Sequence, residues 1–320
     1  MNKVLELKTK AIEFVERNEA FAKVIARLAV MMVAFLMVYF NLGFYSKIHI
    51  IVVPIVLALV CAILPFSVGI LILSLYVLLN LYGLGLEVTM VGAALMVLCY
   101  LLYLRFAPKK SYLVVLSSVL WSLRIPYVAP VAVGLRSNPG NVVAVLMGTV
   151  MYYFLRGVHV NSTVFVNSGS ANAASMLNVA LKQVIGNTQM WVVLVAFLVT
   201  AVVVYSIRRK SIRNAWRAAI YIGTMLQVIL ILGGKLLLGD YSGIVGFIVG
   251  TIVSLGIEIG FEFIMCHLDY SRVERAQFED DYYYYYVKAV PKVLVKGQEK
   301  KVTTFGNVKQ ESITRQDEGE

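Results

Sequence analysis

The sequence predicts an all-α, polytopic helical membrane protein with about eight transmembrane helices and one additional broken or re-entrant segment. Apolar residues make up 60% of the 320 residues and charged residues only 15%, and the mean hydropathy is +0.79. Long apolar stretches alternate with short basic loops. A soluble domain of this composition would expose large apolar patches, whereas a bilayer solvates them. The lipid bilayer is therefore the first partner that the sequence predicts.

The net charge of +11 lies mainly in the loops and termini. Basic loops stay on the inner side of a membrane, where the anionic leaflet attracts them. The charge therefore indicates membrane orientation and not nucleic-acid binding, for which basic residues would be interleaved with stacking aromatic residues. Cys61, Cys99 and Cys266 have no metal-ligand spacing, so we predict neither a metal site nor a cofactor.

The first element is residues 1–23, where apolar residues at helical spacing share a helix with lysine and glutamate. This pattern predicts a cytoplasmic amphipathic helix on the membrane surface, or equally a leader helix packed on the protein itself. The transmembrane domain is expected over residues 24–267. Since a spanning helix needs about 20 mostly apolar residues, spans are predicted near 24–44, 48–64, 67–84, 88–106, 141–156, 190–207, 217–236 and 242–265.

The segment 112–136 does not fit a simple span. Arg124 lies at its middle, and Pro126 and Pro130 follow it. Proline removes a helix hydrogen bond and disfavours helix in the residue before it. Because bare backbone is costly in lipid, such a break must line protein or a water-filled cavity. The segment is therefore predicted to be a broken or re-entrant pair of half-helices.

Loop charge favours the re-entrant alternative. If residues 112–136 crossed once, the basic loops at 105–110 and 208–217 would lie on opposite sides of the membrane. If the segment dips in and returns, both basic loops lie inside, as the positive-inside rule requires. Both termini are then cytoplasmic, and residues 158–189 form an external loop. A short helix is expected there over 173–185, as a structural cover or a gate.

Charged residues at membrane depth are the main candidates for function, because each costs about 2.5–3.5 kcal/mol at a helix centre. Glu258 and Glu262 lie four residues apart in the last span and so on one helical face. Glu258 is expected to face Arg124, either across a substrate pathway or as a buried ion pair that locks the bundle. In the second alternative Glu262 pairs with a loop arginine near the inner headgroups. Two glycine pairs in the same span predict close helix packing, at Gly246, Gly250, Gly256 and Gly260.

The tail after the last span contains the acidic run 279–281 and five tyrosines, Tyr282–Tyr286. Tyrosine and valine favour extended structure, so a cytoplasmic tail with an extended segment is expected over 268–296. This segment is predicted to add to the sheet edge of a protein partner or to pack on the chain's own cytoplasmic face. Residues 297–320 are polar and charged, which is typical of disorder.

The runs RFAPKKSYLVVLSSVLWSLRIPYVAPVAVGL and EDDYYYYYVKAVP resemble a family of uncharacterised bacterial multi-pass membrane proteins. The resemblance covers most of the chain and implies a location in the bacterial cytoplasmic membrane and a loosely defined permease activity. It implies no substrate and no site residues.

Two functions follow from these observations. The first is a permease or permease-like transport subunit of unknown substrate, since broken helices commonly mark transporter substrate sites. The alternative is a non-transporting membrane scaffold of an envelope or secretion assembly. The sequence lacks Walker A, HExxH, GxSxG and dinucleotide-binding motifs, so an enzyme is not predicted.

Overall fold

The computed structural model describes residues 17–166, 173–210, 214–240, 243–265, 274–279 and 284–289. The helices of these residues are α1 (Glu19–Leu42), α2 (Val52–Ile63), α3 (Phe66–Tyr82), α4 (Leu86–Cys99, continued by a π-helical turn at Tyr100–Leu104), α5 (Tyr112–Ser122), α6 (Val128–Arg136), α7 (Val142–Val160), α8 (Ser162–Val166), α9 (Ala173–Ile185), α10 (Thr188–Arg208), α11 (Ala215–Leu237) and α12 (Ile244–Met265). Residues 1–16 of the predicted N-terminal helix, Tyr282, Tyr283 and the tail 297–320 lie outside the described residues.

Six helical segments of the described residues are long and apolar enough to cross a membrane. They are Ala20–Leu42, Leu86–Leu104, Pro139–Val160, Met176–Arg208 (which includes α10), Ala215–Leu237 and Ile244–Phe263. The expected spans at 48–64 and 67–84 are shorter helices, of 12 and 17 residues respectively. Leu64 adopts extended backbone, because the following Pro65 disfavours helix at that residue. This break ends α2 before it reaches the usual spanning length.

Helices α5 and α6 form a hairpin that begins and ends at the same end of the bundle. On the way in, α5 runs beside the first half of α7. The Ser117 hydroxyl donates a hydrogen bond to the Val145 carbonyl at 3.0 Å, and the Trp121 indole donates to the Thr149 hydroxyl at 3.0 Å. The tip of the hairpin therefore lies level with the middle of α7.

On the way out, α6 runs beside the last part of α10. Arg208, at the end of α10, donates hydrogen bonds to the backbone carbonyls of Leu135 and Ser137. The Tyr103 hydroxyl joins the two ends of the hairpin, since it lies 3.3 Å from the Lys110 carbonyl and 3.0 Å from the Asn141 side-chain oxygen. We call this end of the bundle, which carries Lys110, Arg136 and Arg208, the basic face.

The basic face also receives the α2–α3 connection. The Ser67 hydroxyl donates to the Pro108 carbonyl at 3.1 Å, and the Arg27 guanidinium donates to the Leu64 carbonyl at 3.3 Å. Helix α9, which has the bounds expected from the sequence, packs at the opposite end. There Ala180 joins an apolar cluster with residues of α3, α4 and α7. The largest core cluster surrounds the hairpin and includes Phe35, Val114, Val145, Ala196 and Phe197.

The tail contains two strands, β1 (Glu274–Glu279) and β2 (Tyr284–Ala289). They pair antiparallel, with Glu274 opposite Ala289 and Glu279 opposite Tyr284. The tyrosine-rich segment therefore pairs with a preceding segment of its own chain.

Candidate functional site

The backbone is irregular at the break between α5 and α6. Arg124 has a left-handed conformation with φ of 62°, which non-glycine residues rarely adopt. Some of the freed backbone groups are satisfied locally, because the Ile125 amide bonds the Leu120 carbonyl at 3.0 Å and the Ala129 amide bonds the Pro126 carbonyl at 3.1 Å. Pro130 lies in the first turn of α6, where a missing amide hydrogen costs little. The break is therefore at residues 123–127, and Pro130 does not contribute to it.

Aromatic residues hold the tip of the hairpin in place. The Trp121 ring stacks on Tyr152 of α7 with centroids 5.1 Å apart and an interplanar angle of 16°. The Tyr127 ring meets Phe247 of α12 edge to face at 5.0 Å. The tip is thus clamped between α7 on one side and α12 on the other.

A cavity of about 780 Å³ lies beside the tip and is lined by residues of α1, α3, α4, α5 and α7 together with Arg124. Its lining is mainly apolar, and its basic members are Arg124, Arg156 and His159. No carboxylate lines the part of the cavity that the structure describes. The Arg156 guanidinium donates to the Tyr152 hydroxyl at 2.8 Å. The cavity therefore combines an apolar wall with positive charge at Arg124, beside the hairpin tip, and at Arg156, toward the end of α7 that lies away from the basic face.

Arg124 and Glu258 are not brought together, so the predicted ion pair or shared cavity between them is wrong. Among the described residues no carboxylate lies within 4.0 Å of the Arg124 guanidinium. Arg124 lines the cavity, and its backbone carbonyl packs against Gly250 of α12. Glu258 lies two helical turns further along α12 and does not line the cavity.

Glu258 is almost completely buried, with 1% of its surface exposed. One carboxylate oxygen lies 2.9 Å from the Thr224 hydroxyl of α11, and the other has no hydrogen-bond partner. Glu262, one turn nearer the basic face, forms an ion pair with Arg217, whose Nε lies 3.0 Å and 3.3 Å from its two oxygens. This pairing with an arginine at the start of α11 is the structural alternative that the sequence left open for Glu262.

Only one of the four predicted packing glycines of α12 makes a close contact. A Cβ atom at Gly250 would lie 2.9 Å from the Arg124 carbonyl oxygen. Cβ atoms at Gly246, Gly256 and Gly260 would meet no atom of the described residues within 4 Å, so the close packing predicted there is not formed with the described helices. They lie on the exposed side of the helix, whereas Gly250 lies on the side that faces the hairpin.

Three buried polar residues near Glu258 were not predicted as site residues. Thr200 of α10, Gln227 of α11 and Ser254 of α12 are at most 1% exposed, and each has a side-chain oxygen without a hydrogen-bond partner. The sequence gives one signal for this group, since Ser254 precedes Glu258 by four residues and so shares its helical face. Hydroxyl residues are otherwise common in membrane helices, and nothing in the local sequence marks Thr200.

Within the described residues, no group of three or more His, Cys, Asp or Glu side chains is placed to hold a metal ion. A comparison of the chain with family models, with curated proteins and with solved structures finds no match. The six candidate spanning helices are those of a multi-pass helical membrane protein, and the described residues include the α5–α6 hairpin, a cavity with basic residues beside the hairpin tip and buried polar side chains around Glu258. A function can be argued from the side chains that line the cavity and from the polar side chains buried around Glu258.

Proposed function

We propose that the protein is a permease or permease-like transport subunit of the bacterial cytoplasmic membrane. The observation that carries this proposal is the cavity of about 780 Å³ that reaches Arg124 at the tip of a discontinuous helix pair. Broken helices at membrane depth are tolerated where they line a cavity, and they commonly form the substrate sites of transporters. A scaffold would gain nothing from an arginine that has no acidic partner among the described residues, because a charge at membrane depth is costly.

The proposed topology has eight spans, α1 to α4, α7 and α10 to α12, with the α5–α6 hairpin entering from the cytoplasm. The basic face is then cytoplasmic, in agreement with the positive-inside rule. Both termini lie on that side. Helix α2, with 12 residues, is about 18 Å long at 1.5 Å per residue and requires local thinning of the bilayer or burial of its ends.

The lining of the cavity favours an anionic substrate with an apolar portion. Arg124 and Arg156 supply positive charge, and the described lining contains no carboxylate to neutralise it. Apolar side chains make up most of the remaining wall, which suits the apolar portion of such a molecule. Transport would proceed by movement of the hairpin against α7, so that the tip is exposed alternately to each side.

Cysteine accessibility tests this proposal without a known substrate. Ser122, which lines the cavity next to Arg124, is changed to cysteine in a chain whose three native cysteines are replaced. In membrane vesicles of both orientations, Ser122→Cys is expected to react with membrane-impermeant methanethiosulfonate reagents from either side. The anionic reagent is expected to react faster than the cationic one, because Arg124 and Arg156 attract anions.

Two controls make the result specific. Ala196→Cys, at a position with 0% exposure, is expected to stay unreactive from both sides. Adding Arg124→Gln and Arg156→Gln to Ser122→Cys is expected to remove the preference for the anionic reagent. If Ser122→Cys is as unreactive as Ala196→Cys, the bundle is dry at the hairpin, transport through the cavity is excluded and the scaffold alternative is favoured.

A further inference from the structure

Four oxygen-bearing side chains are buried where α11 and α12 pack together. They are the side chains of Thr224, Gln227, Ser254 and Glu258, and the most exposed of them is Thr224 at 6%. None of the four lines the cavity beside Arg124. We call this group the polar cluster. It is separate from the proposed substrate pathway.

The positions along the helices bring these side chains to neighbouring levels. Contacts of Arg217 with Glu262 and of Thr224 with Glu258 show that α11 and α12 run antiparallel. One turn further from the basic face, the same antiparallel pairing places Gln227 of α11 level with Ser254 of α12.

The polar cluster contains more hydrogen-bond acceptors than the described donors around it can satisfy. The Thr224 hydroxyl lies 2.8 Å from the Ile220 carbonyl and 2.9 Å from Glu258, but it has only one proton to donate. Within the part of the chain that the structure describes, the second Glu258 oxygen, both amide atoms of Gln227 and the Ser254 hydroxyl have no hydrogen-bond partner. Buried polar groups are normally satisfied, and each exception calls for an explanation such as an ion.

Glu258 is the one acidic side chain of the polar cluster, and no basic side chain of the described residues pairs with it. The nearest described arginine on α11 is Arg217, about two turns before Thr224, and it is paired with Glu262. An isolated carboxylate in an apolar interior is very costly unless a cation compensates it. Hydroxyl, amide and carboxylate oxygens are hard ligands that suit hard cations. One negative charge matches a monovalent ion, whereas dedicated divalent sites usually supply more carboxylates.

We propose that the polar cluster binds one Na⁺ ion, with Glu258 as the charged ligand and oxygens of Thr224, Gln227 and Ser254 as neutral ligands. The Arg217–Glu262 ion pair lies between this site and the basic face. On the opposite side of the cluster, Gly250 connects the same face of α12 to the hairpin tip. Sodium binding therefore acts on the helix that clamps the break, which is the arrangement expected of a coupling ion. The binding itself does not depend on whether the cavity transports a substrate.

Equilibrium binding of ²²Na⁺ to the purified full-length protein in detergent tests the proposal. Wild-type protein is expected to bind one Na⁺ per chain, with choline chloride keeping the ionic strength constant. Glu258→Gln is expected to abolish binding, whereas Glu262→Gln, which removes the neighbouring carboxylate, is expected to retain it. Absence of binding to the wild type, or equal binding to Glu258→Gln, would overturn the proposal.

Two further measurements keep the test decisive if Glu258→Gln does not fold. Ser254→Ala changes one atom of the site, and it is expected to weaken Na⁺ binding at least about tenfold if its hydroxyl is a ligand; unchanged affinity contradicts that role. Labelling of Glu258 by the apolar reagent dicyclohexylcarbodiimide supplies the second measurement. At ten times the dissociation constant, Na⁺ leaves about one site in eleven free and should slow labelling accordingly. Labelling that Na⁺ does not slow would make Glu258 a proton site and overturn the assignment to sodium.

Discussion

The backbone carbonyl of Arg124 packs directly against Gly250, so the tip of the α5–α6 hairpin and α12 are in backbone contact. A Cβ at position 250 would lie 2.9 Å from the Arg124 oxygen and 3.1 Å from the Tyr127 ring. The same face of α12 continues through Ser254 to Glu258, four and eight residues on. One helix face therefore joins the break, which borders the cavity, to the buried polar cluster.

Gly250→Ala is expected to destabilise the protein, because the added methyl group must displace backbone on one side and a clamped ring on the other. Overpacking of this kind typically costs about 1–3 kcal/mol. Reversible unfolding of the purified protein by SDS titration measures the loss. Gly246→Ala, one turn away in the same helix, meets no atom within 4 Å, so its stability should be unchanged or higher by up to about 1 kcal/mol, the helix preference of alanine over glycine. Equal effects of the two substitutions would contradict the packing of α12 on the hairpin.

Arg208 is expected to hold the returning half of the hairpin at the basic face. It donates to two carbonyls at the end of α6, those of Leu135 and Ser137, and its positive charge is favourable at a helix C-terminus. Hydrogen bonds to charged groups contribute about 1.5–3 kcal/mol, so Arg208→Ala should lower the free energy of unfolding by about that amount. Hydrogen exchange should also speed up in residues 128–137.

The matched control for Arg208 is its neighbour. Arg209 is exposed and donates to the Tyr205 hydroxyl of its own helix at 2.9 Å. Arg209→Ala removes the same charge and is expected to change stability by less than about 0.5 kcal/mol. If both substitutions have the same small effect, the carbonyl contacts of Arg208 do not anchor the hairpin.

The features that the sequence predicts well are those with local causes. Arg124 and Pro126 interrupt a short apolar segment, and the break lies at these residues because proline acts on its immediate neighbours. The apolar spacing of residues 173–185 likewise predicts a helix with the observed bounds. The span predicted at 48–64 is longer than the helix observed there, because the apolar residues extend beyond both ends of a helix that stops at Ile63, before Pro65.

The features that the sequence does not predict depend on how helices turn toward one another. Four glycines of α12 have equivalent spacing, but only Gly250 lies on the side that meets the hairpin. Arg124 and Glu258 are both charged residues of apolar segments, yet they are not brought together, because Arg124 lines the cavity with its carbonyl against Gly250 and Glu258 lies two turns further along α12. Helix rotation is set by packing over the whole bundle and not by the spacing of one segment.

The Arg217–Glu262 ion pair is expected to contribute little to stability. The Arg217 side chain is 63% exposed, and water and salt screen such pairs to roughly 0–1 kcal/mol. A double-mutant cycle with Arg217→Gln and Glu262→Gln should therefore give a coupling energy below about 1 kcal/mol, which decreases further in 1 M salt. A coupling energy well above this range would mean that the ion pair is shielded from solvent and closes the polar cluster on the side of the basic face.

The hairpin geometry makes a final prediction about membrane sidedness. Gly140 lies at the return of the hairpin, and a side chain there would meet no atom within 4 Å, so Gly140→Cys should fold normally. Because the return lies on the basic face, this cysteine is expected to be protected from an impermeant maleimide added outside intact cells and labelled after permeabilisation. Lys182→Cys, on exposed α9 at the other end of the bundle, is expected to react in intact cells. Labelling of Gly140→Cys in intact cells together with protection of Lys182→Cys would contradict this sidedness, and it is the pattern expected if residues 112–136 cross the membrane once, since a single crossing places residue 140 outside and residue 182 inside.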